Sequence, residues 1–113
     1  MADIFLKENP TLADLQAFVA MACKARGFGD ETVSEKIMLL AEEVGELAKA
    51  VRKTTGVVID PKSEKYRVDL EAVDVVWYVL DLCNRYGIDL EKAFREKEEL
   101  NRQRIWHNEK TAA

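Results

Sequence analysis

The chain has little of what marks a thiolate-metal, nucleic-acid-binding or membrane protein. It holds one histidine and two cysteines, and Cys23 and Cys83 lie far apart within segments of helical pattern without forming a CxxC pair. That spacing indicates neither a zinc site nor a redox dithiol, and both cysteines are expected to be reduced core residues. Five glycines and two prolines in 113 residues supply few chain breakers, which suits helices and argues against disorder. Cationic residues are not in excess: 17 Lys and Arg face 21 Asp and Glu, for a formal net charge of -4. Sequence-independent binding to a nucleic acid polymer neutralises phosphates with Lys and Arg, and no basic arm is present to do it. No uncharged run reaches membrane-spanning length, and Met1 to Lys7 has no basic segment followed by a long apolar run. These features predict a cytoplasmic protein of one domain, residues 1–113, whose modest core subunit association would help to bury.

Apolar residues make up 48% of the sequence, and their spacing predicts four helices. Asn9-Pro10-Thr11 gives a turn or cap signal before Leu12, Leu15, Phe18, Val19 and Ala22, and the first helix ends near Arg26-Gly27. A second starts at Ser34, carries Ile37, Met38, Leu40, Ala41, Val44, Leu47, Ala48 and Val51 as its apolar positions, and runs to about Lys53. Thr54 to Ser63 forms a loop whose apolar tip, Val57-Val58-Ile59, is placed to touch a neighbouring subunit. A third helix spans about Glu64 to Tyr86 and stops at Gly87, and Asp89 caps a fourth that runs to about Trp106. The predicted architecture is an all-α four-helix bundle.

Within that pattern, acids occupy positions that otherwise belong to the core. The second helix contains Glu42, Glu43 and Glu46, and the third contains Glu71 and Asp74. Residues three or four apart share a helix face, so packing the two helices together gives one acidic cluster. Carboxylates taken out of water are costly unless they are paired or bind a metal, and no Lys or Arg alternates with these. Carboxylate oxygens without clustered His or Cys select a hard cation, and Mg2+ suits a few carboxylates plus waters and phosphates, with Mn2+ able to substitute. A di-iron site would need Glu-x-x-His pairs, whereas His107 lies near the C-terminus, away from both motifs, and is expected to be a surface residue.

Glu42-Glu43-x-x-Glu46 followed by Glu71-x-x-Asp74 resembles the signature of the MazG-like nucleoside triphosphate pyrophosphohydrolases. The resemblance continues through Gly87-Ile88-Asp89-Leu90 to Lys97, Asn101, Arg102 and Arg104, and so covers most of the chain. EExxE alone arises in any acidic helix; the paired motifs in order, with these later residues, are more specific. The resemblance implies Mg2+-dependent hydrolysis of a (deoxy)nucleoside triphosphate to the monophosphate and pyrophosphate, in the service of nucleotide-pool house-cleaning. It implies Glu43, Glu46, Glu71 and Asp74 as metal ligands, and for Glu42 a role as base, as ligand of an additional ion or as a hydrogen-bonding partner behind the ligands. Lys97, Asn101 and Arg104 match positions that contact phosphate, and Tyr78 matches one facing the nucleotide, with ordinary surface charge or core packing as the alternative for each.

Trp77 is expected in the core, while Phe28 and Trp106 are placed either to line a base pocket or to pack. Apolar residues on more than one face of the third helix, Trp77, Val79 and Leu80 beside Val75 and Val76, predict self-association. The resemblance likewise implies a homodimer or homotetramer, with a nucleoside triphosphate as substrate partner. Two other functions fit the acids: a phosphoribosyl-ATP pyrophosphatase with a different base pocket, or a non-enzymatic helical scaffold with solvated carboxylates.

Overall fold

The structure, a computed structural model, describes residues 4–56 and 67–104. It is all-α, with four helices: α1 (Leu12–Ala25), α2 (Val33–Thr54), α3 (Val68–Arg85) and α4 (Leu90–Gln103). The predicted loop tip at residues 57–59, Trp106 and His107 lie outside the described residues.

Local chemistry sets the helix ends. Thr11 and Asp14 form a reciprocal capping box that satisfies two otherwise unpaired N–H groups of α1. Thr32, rather than the predicted Ser34, caps α2 by accepting from the Glu35 N–H at 3.1 Å, and Asp89 caps α4 through the Lys92 N–H at 3.1 Å. After α1, Gly27 takes φ +82°, and the N–H of Phe28 returns to the carbonyl of Cys23 at 2.8 Å. Gly87 ends α3 in the same way, with Ile88 N–H bonded to Cys83 O at 2.9 Å. Both are glycine-terminated turns in which the left-handed residue tolerates no Cβ without strain.

The helices pack in an open order, α2 on α3, α3 on α1 and α1 on α4. Gln16 ties the far end of this arrangement together: its amide accepts from the Leu90 N–H at 3.0 Å and its backbone carbonyl from Asn84 Nδ2 at 3.1 Å. The core centres on Val19, Cys23 and Leu80, with Leu12, Leu15, Trp77 and Leu90 against it. Cys23 is buried as expected, and burial raises its thiol pKa, so it stays protonated. Cys83 is only half-buried.

The apolar stripe expected to make α2 a core helix is largely uncovered in the single chain. Ile37, Met38, Val44 and Val51 are exposed, Met38 by 61%, while the buried residues of α2 are Ala50 and a lysine, Lys36. The reason is packing: α2 meets chiefly α3, and one neighbour covers only part of a helix's circumference.

Candidate metal centre

On α2 and α3 the sequence spacing becomes a site. Glu43 and Glu46 lie one turn apart on α2, Glu71 and Asp74 one turn apart on α3, and packing α2 along α3 brings carboxylate oxygens of Glu43, Glu71 and Asp74 within 4.8 Å of one another. No lysine or arginine among the described residues forms an ion pair with any of the three. Burial, then the charges of Asp74, Glu71, Glu46 and Glu42, raise the pKa of Glu43 above the usual carboxylate value. Such a carboxyl among neighbouring acids is the electrostatic counterpart of a cation site: a divalent ion would relieve both its desolvation and the repulsion it feels. The donor set is all oxygen, which fits a hard divalent cation.

Glu46 and Glu42 are exposed and lie outside this trio, although the charge of each reaches Glu43. Tyr78, one turn beyond Asp74, lines an open cleft of about 390 Å³ with Glu43 and Asp74. Burial first, and then the charge of Glu31, raise its phenol pKa, so it remains a neutral hydroxyl. Trp77, expected in the core, packs on the core cluster and lines the cleft as well. Its ring meets Phe18 edge to face at 6.3 Å, and Arg26 sits 5.6 Å from its centroid. Phe28 lines the same cleft, held there by the Gly27 turn and by Arg85, which donates to the carbonyl of Gly29 at 2.9 Å. Lys97, Asn101 and Arg104 lie on or just after α4, which packs on α1, and none of them lines the cleft within one chain.

Sequence reasoning missed a second charged cluster on the same helix pair. Lys36 Nζ lies 2.6 Å from Asp81 and 2.8 Å from Glu31, and Arg85 Nε is 3.9 Å from Asp81. Burial lowers the Lys36 pKa, but Asp81 and Glu31 raise it further than burial depresses it, and the ammonium stays charged. The clue was spacing. Lys36 precedes Glu43 by seven residues and Asp81 follows Asp74 by seven, so antiparallel helices that align Glu43 with Asp74 must also align Lys36 with Asp81.

Similarity to known proteins falls on these same helices. The family model of the MazG nucleotide pyrophosphohydrolase domain matches residues 31–105. The dATP/dGTP diphosphohydrolase of Cyanophage S-2L is 34% identical over 96 residues, which cover 85% of this chain and 78% of that protein. A dATP/dGTP diphosphohydrolase of Salmonella phage PMBT28 is 30% identical over 96 residues, and there the chain spans only 28% of the relative's length. Among solved structures, iMazG from Vibrio DAT 722 superposes with a TM-score of 0.60 at 31% identity, covering 82% of this chain and 99% of that one. YPJD from Bacillus subtilis gives a TM-score of 0.73 at 25% identity, covering 88% and 100%.

Proposed function

The chain belongs to the MazG nucleotide pyrophosphohydrolase family, and from that premise we propose that it hydrolyses a (deoxy)nucleoside triphosphate to the monophosphate and pyrophosphate. The observation that carries the reading is the acidic trio Glu43, Glu71 and Asp74, without an ion pair among the described residues, two of whose members, Glu43 and Asp74, line a cleft with aromatic walls. The substrates named for the two phage relatives support a purine deoxynucleotide.

In this reading Glu43, Glu71 and Asp74 hold Mg2+, with Mn2+ as a substitute and Glu46 turning in as a further ligand. The cation, when bound, screens the triphosphate and acidifies a water. Water oxygen forms a bond to the α-phosphorus as the α–β bridging bond breaks, and pyrophosphate leaves with the bridging oxygen; no other co-reactant is needed. Glu42, exposed next to Glu43 on α2, is the residue this reading assigns to accept the proton from that water. Arg26, Tyr78 and the rings of Phe28 and Trp77 bind the nucleoside end.

Lys97, Asn101 and Arg104 complete the phosphate contacts from a neighbouring copy in a homodimer or homotetramer. The support is apolar surface that one chain leaves uncovered: Val73 and Val76 on α3, Ile37 and Met38 on α2, and Phe94 and Leu100 on α4 are all exposed. A mass above that of one chain by light scattering at micromolar concentration is expected; a monomer would contradict assembly.

The test is incubation with a panel of ribo- and deoxynucleoside triphosphates, with Mg2+ and with EDTA, resolving products by ion exchange. Monophosphate and pyrophosphate appearing only with metal are expected. Turnover of no nucleotide by a protein that binds no metal would instead favour a helical scaffold.

A further inference from the structure

Lys36 is the largest fully buried side chain among the described residues, and hydrolysis at the acidic trio gives it no task. Burying an ammonium between two carboxylates is often no more stabilising than apolar side chains of similar volume, so packing alone does not account for a lysine there. Its place in the cleft does. Lys36 lines the same cavity as Glu43 and Asp74, together with Arg26, Phe28, Val73, Trp77 and Tyr78. It shares a helix face with Glu43 two turns away, about 10 Å along the axis. That separation matches the reach of a nucleoside from its α-phosphate to the far edge of its base.

The polarity of this distal end is one-sided. An ammonium carries three N–H donors and no acceptor; that of Lys36 is ion-paired with Glu31 at 2.8 Å and Asp81 at 2.6 Å while the residue lines the cleft. The Tyr78 ring, 5.7 Å from Nζ, flanks it. Arg26, the other cation lining the cleft, is also a donor without acceptor capacity. Both lining carboxylates belong to the metal end. A base entering beside Phe28 and Trp77 meets the N–H donors of Lys36 and Arg26, with the Tyr78 hydroxyl able to donate or accept, and gains by offering acceptors. Guanine presents O6 and N7 side by side, whereas adenine replaces the O6 acceptor by an N6 amine, a donor facing a donor.

Resting on the pyrophosphohydrolase reading, we infer that Lys36, clamped by Glu31 and Asp81, reads the base of the substrate and selects guanine through O6. Glu31 and Asp81 are positioning residues: their ion pairs hold the ammonium at this end of the cleft.

The test compares kcat/KM for dGTP, dATP and the 2-aminopurine deoxynucleoside triphosphate, which lacks O6, in the wild type and in the Lys36→Met/Asp81→Asn double variant. The double variant removes a buried cation and a buried anion together. In the wild type dGTP is expected to exceed both other nucleotides by about tenfold or more, and in the folded double variant both ratios fall toward one. Wild-type rates for dGTP no higher than for the other two overturn the inference, as do ratios that survive in the folded double variant. The wild-type comparison needs no variant and decides alone if the double variant does not fold. Failure of the wild type to hydrolyse any triphosphate overturns the pyrophosphohydrolase reading itself, whereas hydrolysis without preference for guanine overturns only the role of Lys36.

Discussion

The two ends of the α2–α3 pair treat their acids in opposite ways. At one end Glu31 and Asp81 close on Lys36, and Arg85 stands beside Asp81. At the other Glu43, Glu71 and Asp74 converge with no cation of the described chain between them, and Glu43 holds its proton more tightly than usual. The same two helices, seven residues apart in register, supply a charge partner in one place and withhold it in the other. The neighbouring cluster is neutralised from within, and this contrast is what makes the trio a candidate for a cation from outside.

The sharpest way to break this contrast is to remove the internal cation. Lys36→Met strands Asp81 as a buried carboxylate and is expected to cost about 3–5 kcal/mol, measured by urea unfolding, with Asp81→Asn on top recovering part of the loss. An unchanged midpoint would show that the triad carries no such burden. Asp74→Asn or Glu71→Gln, by contrast, leaves the fold intact by circular dichroism. Each lowers kcat/KM by more than the roughly 10–100-fold that loss of a residue behind a metal ligand costs. Activity within a few-fold of wild type would remove those acids from the site.

Arg85 also holds the turn that carries Phe28. Gly27→Ala puts a side chain at φ +82° and is expected to lower stability by about 1 kcal/mol, read from the same unfolding curves. No loss would mean that the turn relaxes to another conformation.

The smallest effect concerns pH. Because the folded protein raises the Glu43 pKa above its unfolded value, the folded state binds the proton more tightly. In metal-free protein this group's contribution is fully present below the ordinary carboxylate pKa and is lost as pH rises through the folded value. Melting temperature in EDTA should therefore decline over that window, and Glu43→Gln should flatten the decline. An identical profile in both proteins would assign the decline to other groups.

Much of the fold was legible because its signals are local. Capping residues, glycine stops and apolar periodicity place all four helices, with the start of α2 displaced to Thr32 since threonine, like serine, caps an N-terminus, and with α3 starting at Val68, where no side-chain cap marks the start, rather than near Glu64. The acidic trio was legible for the same reason, being set by spacing within two helices. Three things were not. Exposure of Ile37, Met38 and Val44 depends on how many neighbours α2 finds, which periodicity does not encode. The seating of Phe28 in the cleft depends on Arg85, more than fifty residues away in sequence. Lys36 went unnoticed because its partners, Glu31 and Asp81, lie on a turn and on another helix, and a lone lysine in an amphipathic pattern looks like a surface charge.

The most direct test of the central contrast is isothermal titration of Mg2+ into the metal-free wild type and Asp74→Asn. The account predicts saturable binding to the wild type that is lost in the variant, with Asp81→Asn, at the internally paired end, binding as the wild type does. Equal binding by wild type and Asp74→Asn, or no binding by either, would contradict it.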